Sequence, residues 1–159
     1  MTFQRLKGSV SDNKGFTMAE MMAALVVFGI VTAVAVPNYV AFQPGLRLNG
    51  AARQVLAKLM WARSKAVEQN STYAAIYPTS VTFQIFNDTN GNGSPDGGEW
   101  SQNFDISSDY PGVTLSQTGA DPIFNSRGTA NSGTTEITVI NTSGSRTVTV
   151  TATGNVRIN

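Results

Sequence analysis

Residues 16–42 of this chain carry a single charged side chain, Glu20, and residues 21–36 carry none. A helix of about 20 residues is enough to cross the ~30 Å hydrocarbon core of a bilayer. In lipid every backbone polar group has to be satisfied within the segment, so such a run spans as a helix. Arg5, Lys7 and Lys14 precede it. By the positive-inside rule the first residues lie in the cytoplasm and everything after about residue 42 lies outside the membrane. A cleaved signal peptide has its cut after the apolar region, at a small-residue site. Here the small residue, Gly15, stands before that region.

The junction Lys14, Gly15, Phe16, Thr17, Met18, Ala19, Glu20 resembles the cleavage-and-methylation site of type IV prepilins and type II secretion pseudoprepilins. The resemblance implies that a membrane peptidase and methyltransferase cuts after Gly15 on the cytoplasmic side and methylates the new N-terminus at Phe16. The apolar helix then stays with the mature protein. It also implies that Glu20 lies near the Phe16 amine of a neighbouring subunit. A carboxylate in a membrane helix is costly unless it is paired or reaches the interface. Such a pair at ~4 Å and an effective dielectric of ~20 gains roughly 4 kcal/mol before desolvation is counted. A plain signal anchor would share the apolar run but leave Glu20 without a role. Pro37 removes a backbone donor and frees the carbonyl of Ala33. With Pro44, Gly45 and Gly50 close behind, the expectation is a weak or interrupted helix between residues 37 and 50.

Beyond the anchor, residues 46–70 read as an amphipathic helix. Leu48, Ala52, Val55, Leu59, Ala62 and Ala66 recur at spacings of four and three and form one apolar stripe. Arg47, Arg53, Lys58, Arg63 and Lys65 fall mostly away from it, as a solvated outer face or, alternatively, as contacts to nucleic acid or lipid headgroups, and Trp61 reads as packing. After Asn70 the period changes to two. Strands are expected at residues 73–77, 81–86, 100–106, 113–117, 123–124, 136–141 and 146–153, with a turn at 142–145 and a further strand at 156–158. The expected fold class is α+β, an N-terminal transmembrane and amphipathic helix packed on an antiparallel β-sheet domain. The divisions are a cleaved leader at 1–15, an assembly helix at 16–42, its amphipathic continuation at 43–70 and a β-rich domain at 71–159.

The run Ala62, Arg63, Ser64, Lys65, Ala66, with Asn70 following, is similar to the first-helix end of the GspH/FimT group of pseudopilins and minor pilins. Residues 86–99, 123–128 and 154–158 agree with that group. Membership implies a structural subunit, not an enzyme. It assembles through its N-terminal helix with other pilins or pseudopilins, near the filament tip. The implied partners are the prepilin peptidase, an inner-membrane assembly platform, and lipid before assembly. The implied location is a single pass in the inner membrane with a periplasmic C-terminal domain, and the filament after assembly.

Composition narrows the chemistry. The chain has 11 basic and 10 acidic side chains; removing the leader takes away three and one, leaving 8 and 9, a net of −1. No global basic field remains to attract nucleic acid. There is no Cys and no His, so disulfides, thiolate nucleophiles and a Ser–His–Asp triad are impossible. Paired acids remain as a hydrolytic possibility among Asp88, Asp96, Glu99, Asp105 and Asp109, but they cluster in a Gly-rich loop. Asp88, Asn90, Asn92, Asp96 and Glu99 fit the calcium-loop pattern D-x-[DN]-x-[DN]-G-x₅-E, whose alternating short oxygen side chains can curl around Ca²⁺. Strand-like flanks set this apart from an EF-hand, and an Asn-Gly-rich hairpin loop is the plainer reading. Arg127, Arg146 and Arg157 are candidate DNA contacts if the fold gathers them. Some FimT-like minor pilins carry a C-terminal Gly-Arg-x-Arg motif, but here Asn155 replaces the first Arg, and one Arg offers little phosphate affinity. Two other roles thus stay open: a DNA-binding tip subunit, and a membrane-anchored calcium-binding adhesin that never polymerises.

Overall fold

A computed structural model describes residues 15–131 and 133–159. The expected leader's Arg5, Lys7 and Lys14 lie outside the described residues. The first element, α1, runs from Met18 to Glu68. The chain divides into two compact units, with the break between Tyr39 and Val40.

In the first unit α1 opens with a reciprocal cap. Thr17 Oγ1 accepts from Glu20 N at 3.2 Å, and Glu20 Oε2 accepts from Thr17 N at 2.8 Å. Two otherwise orphaned N–H groups of the first turn are satisfied in this way. The apolar side chains that follow are all exposed, among them Met22, Leu25, Phe28, Ile30, Val34 and Tyr39. By length and composition this part of α1 is long and apolar enough to cross a membrane. Thr32 Oγ1 donates to the Phe28 carbonyl one turn back, so its hydroxyl is satisfied within the helix.

The expected interruption at residues 37–50 does not occur, because α1 continues through Pro37, Pro44, Gly45 and Gly50. A proline in a helix interior removes one donor, while the turns on either side keep theirs. Further along, side chains tie down the chain around the second proline. Asn141 Nδ2 donates to the Pro44 carbonyl at 2.7 Å, and Arg47 Nη2 donates to Gln43 Oε1 at 2.8 Å. Gly50 is used for close approach. The Tyr110 ring passes 2.5 Å from where a Cβ would stand. The helix ends at a Schellman motif: Ser71 N donates to Ala66 O at 3.0 Å and Asn70 N to Val67 O at 3.4 Å, with Asn70 left-handed at φ 49°.

The second unit builds its core on the expected stripe, with Ala51 added. The strands are β1 (Tyr73–Ile76), β2 (Thr82–Asn87), β3 (Ser101–Asp105), β4 (Thr114–Thr118), β5 (Ile123–Phe124), β6 (Thr135–Asn141), β7 (Gly144–Val150) and β8 (Val156–Ile158), with a one-turn helix α2 (Ile106–Asp109) after β3. They form two four-stranded sheets, β3-β2-β1-β5 and β4-β6-β7-β8. Every pairing is antiparallel. Phe83, Ile85 and Phe124 from the first sheet join Ile137, Val139, Val148 and Val150 from the second around the helix stripe. Ala74 and Phe86, paired across β1 and β2, are buried on the opposite face of the first sheet.

Most strand ends shift by a residue, and three of the differences have a visible cause. Residue 106 leaves the strand because Asp105 caps α2, its Oδ1 accepting from Ser107 N at 2.8 Å. β7 stops at Val150, where Gly154 N turns back onto Thr151 O at 2.8 Å. The β6–β7 turn is tighter than expected: Asn141 pairs with Gly144, leaving only Thr142 and Ser143 between the strands. The edge strands are short or polar. β5 has 2 residues and β8 has 3, while β3 presents exposed Ser101, Gln102 and Asn103.

Candidate functional site

At the N-terminal end Gly15 is exposed with open space around it, and Phe16 is 85% exposed. The expected partner of Glu20 belongs to a second chain. Within one chain the carboxylate instead closes the first turn of its own helix through Thr17. The signal for this cap, Thr followed three residues later by Glu ahead of an apolar run, stands in the sequence.

Three of the segments that carry the family resemblance, at residues 62–66, 123–128 and 154–158, meet at one point. Arg63 Nε donates to the Gly128 carbonyl at 2.7 Å. Gly154, at φ 77°, lies so close that a Cβ there would stand 1.8 Å from Gly128 O and 3.1 Å from Arg63 Nε. No side chain fits, so Gly is required by both space and conformation. Arg63 thus pins the end of the first helix to two loops distant in sequence. This corrects the solvated-face expectation for the basic residues. Arg63, Arg47 and Lys58 are partly buried, and the Lys58 ammonium lies 4.5 Å from the centre of the Phe104 ring. Lys65 pairs with Glu68 at 2.9 Å. Trp61 packs as expected, in an aromatic group with Tyr73 and Trp100 at centroid distances of 6.3 and 5.3 Å.

Between β2 and β3, residues 88–99 form a loop closed on itself. Asp88 is only 2% exposed. Its Oδ2 accepts from Gly93 N at 3.1 Å, while its Oδ1 is buried with no hydrogen-bond partner. Asn90 Nδ2 and Asn92 Nδ2 both donate to Asp96 Oδ2, at 2.7 and 2.6 Å. Glu99 Oε1 accepts from Thr89 N and Oγ1 at 2.8 and 2.9 Å, and Oε2 from Asp96 N at 3.2 Å. Partial loss of solvent works to raise the Glu99 carboxyl, but the bonds from Thr89, Asp96 and Asn90 outweigh it and hold it below the usual glutamate range. Gly91 and Gly93 take left-handed φ of 73° and 72°, which allows the tight curl. No group of three or more acids is gathered for a metal among the described residues. Amide and backbone bonds join Asn90, Asn92, Asp96 and Glu99 instead, while Asp88 is held separately by the Gly93 amide.

The three arginines are exposed but not gathered on one face. Arg157 pairs across the ladder with Thr149, whereas Arg146 shares the alternate face with Val148 and Val150. Arg146 Nε donates to Asn49 Oδ1 of α1 at 3.1 Å. Arg127 lies in the loop after β5, beside Gly128 and Arg63 in an open cleft.

The family described as Type II transport protein GspH matches residues 51–154, well over half of the chain. The prokaryotic N-terminal methylation motif matches residues 10–36. The type IV major pilin protein PilA of Myxococcus xanthus (strain DK1622) is 31% identical over 71 residues, 45% of this chain and 24% of that relative. The fold is similar to the type IV minor pilin FimU of Pseudomonas aeruginosa (strain PAO1), with TM-score 0.58 at 18% identity over 74% of this chain and 92% of that one. It is also similar to the minor pseudopilin EpsH of the Vibrio cholerae Type 2 Secretion System, with TM-score 0.55 at 11% identity over 71% of this chain and 96% of that one. The chain belongs to the GspH family of type II transport proteins, in the pilin and pseudopilin class, and carries the N-terminal methylation motif of that class.

Proposed function

We propose that the chain is a minor structural subunit of a type II secretion pseudopilus or type IV pilus. It is processed after Gly15, methylated at Phe16 and assembled near the filament tip. Before assembly it resides in the inner membrane as a single pass, with residues 43–159 in the periplasm. The observation that supports this reading is the first part of α1, whose apolar side chains find no cover within the chain. Lipid covers them before assembly; the helices of other subunits cover them afterwards. Glu20 then sets register by meeting the Phe16 amine of a neighbour. The division of labour follows from the chemistry: the 16–42 helix assembles, and the β domain faces outward to partner subunits.

Intact mass and N-terminal sequencing of protein recovered from membranes test the reading. The expected product begins at methylated Phe16. A mature protein still beginning at Met1, in cells with an active prepilin peptidase, would sink it.

A further inference from the structure

We infer that the 88–99 loop is a calcium site with Asp88 at its base. Counted from Asp88, oxygen-bearing residues stand at the first, third, fifth, seventh, ninth and twelfth places: Asp88, Asn90, Asn92, Ser94, Asp96 and Glu99. A glycine, Gly93, stands at the sixth. This is the ligand spacing of a twelve-residue calcium loop, with the seventh place contributing its main-chain carbonyl.

Spacing alone would leave an ordinary polar hairpin loop. The independent observation is Asp88. Its side chain is 2% exposed, and its Oδ1 is buried without a partner. Leaving a buried carboxylate oxygen unsatisfied is costly, and more so when the group is ionised. No Lys or Arg among the described residues forms a salt bridge with Asp88, Asp96 or Glu99. The carboxylate is aimed into the loop, because its other oxygen holds the Gly93 amide. A cation in the loop supplies the missing counter-charge.

The remaining ligands lie within the same loop, where the two Asn amides face Asp96 by their nitrogens and a cation requires them to turn their oxygens inward. The Asn90 and Asn92 side chains converge on Asp96 Oδ2 through their N–H groups. Asn90 Oδ1 and Asn92 Oδ1 each accept one backbone N–H, at 2.9 and 2.8 Å, from Asn92 and Ser94. A carbonyl oxygen has two lone pairs, so each keeps one for a metal. The loop is also seated on the sheet. A Cβ at Gly93 would stand 3.8 Å from Ile123 Cδ1, and Ile123 is the ladder partner of Ala74.

The donor set selects the ion. Only oxygens are offered, which disfavours the softer metals. Calcium accepts six to eight oxygens in flexible geometry, whereas magnesium demands a near-ideal octahedron and sheds water reluctantly. With Asn rather than Asp at the third and fifth places, the charge count is low. The affinity expected is that of extracellular modules, a Kd of about 10⁻⁴–10⁻³ M.

The test is calorimetric titration of CaCl₂ into the full chain in nonionic detergent after chelator treatment, with thermal unfolding followed in parallel. The expected result is one Ca²⁺ per chain and a raised midpoint, with MgCl₂ at least tenfold weaker. Glu99→Gln should weaken calcium binding by at least about tenfold while the chain stays folded without metal. Asp88→Asn should abolish binding and, if it also unfolds the chain, Glu99→Gln still decides. Absence of binding up to about 10 mM Ca²⁺, ten times the weakest expected constant, would overturn the inference. So would a calcium response left intact by Glu99→Gln and Asp96→Asn together.

Discussion

The two stretches of α1 use the same secondary structure for opposite ends. Residues 21–36 are apolar all round and keep every described side chain at least partly open. Residues 48–66 confine their apolar groups to one stripe, and Leu48, Ala51, Ala52, Val55, Leu59, Ala62 and Ala66 are buried by the chain's own sheets. A helix uniformly apolar around its circumference has to be covered on every side, which one small domain cannot do. A helix with a single stripe needs covering on one side, and two sheets suffice. The difference teaches where this molecule is complete by itself and where it depends on company.

The largest effect is expected where the second stretch is fastened to its loops. In Gly154→Ala the new Cβ would collide with the backbone oxygen of Gly128 in a left-handed conformation. Relief requires the chain crossing itself to move, so we expect loss of the cooperative unfolding transition at 37 °C, the usual assay temperature, or a penalty above about 3 kcal/mol. A smaller but still severe loss is expected for Leu59→Ala, which empties a fully buried position. Denaturant unfolding should show about 2–5 kcal/mol of destabilisation. The matching change in the first stretch, Leu25→Ala, touches a side chain 67% exposed. It should leave unfolding of the β domain within about 0.5 kcal/mol of the parent. Equal losses for the two leucines would break the comparison.

A modest pH effect sharpens it further. The Asp105 carboxyl is held below the usual aspartate range, chiefly by the Ser107 hydroxyl and then by the Ser107 amide. A depressed carboxyl stabilises the fold above its unfolded value of about 3.9 and loses that contribution as pH falls through the lower folded value. The urea midpoint should therefore drop from pH 5 to pH 3 less steeply in Asp105→Asn than in the parent.

Much of this was legible in the sequence. The stripe residues named from periodicity are all buried, because spacings of four and three put them on one face of the helix, which the sheets cover. The strands of the hairpins β1–β2 and β6–β7 were readable from alternation, and the β6–β7 turn from its turn residues. Two things were not. Pro37, Pro44 and Gly50 read as breakers, but local propensity is a weak prior. Gly50 makes room for Tyr110, a contact sixty residues away in the chain. The role of Arg63 was hidden for the same kind of reason. Its position off the stripe suggests solvent, and only the fold shows Gly128 and Gly154 arriving beneath it. The split into two sheets is likewise a matter of long-range pairing that alternation cannot encode. In the 88–99 loop the pattern gave the candidate oxygens, but not which of them is buried; Asp88 looks no different in sequence from Asp96.

The edges of those sheets carry a further consequence. Every unpaired sheet edge is a template for a rogue ladder with another chain. Here the outermost strands are too brief, as in β5 and β8, or too rich in Ser, Thr, Gln and Asn, as in β3 and β4, to recruit another strand readily. Such edges keep the sheets from fusing into amyloid-like aggregates.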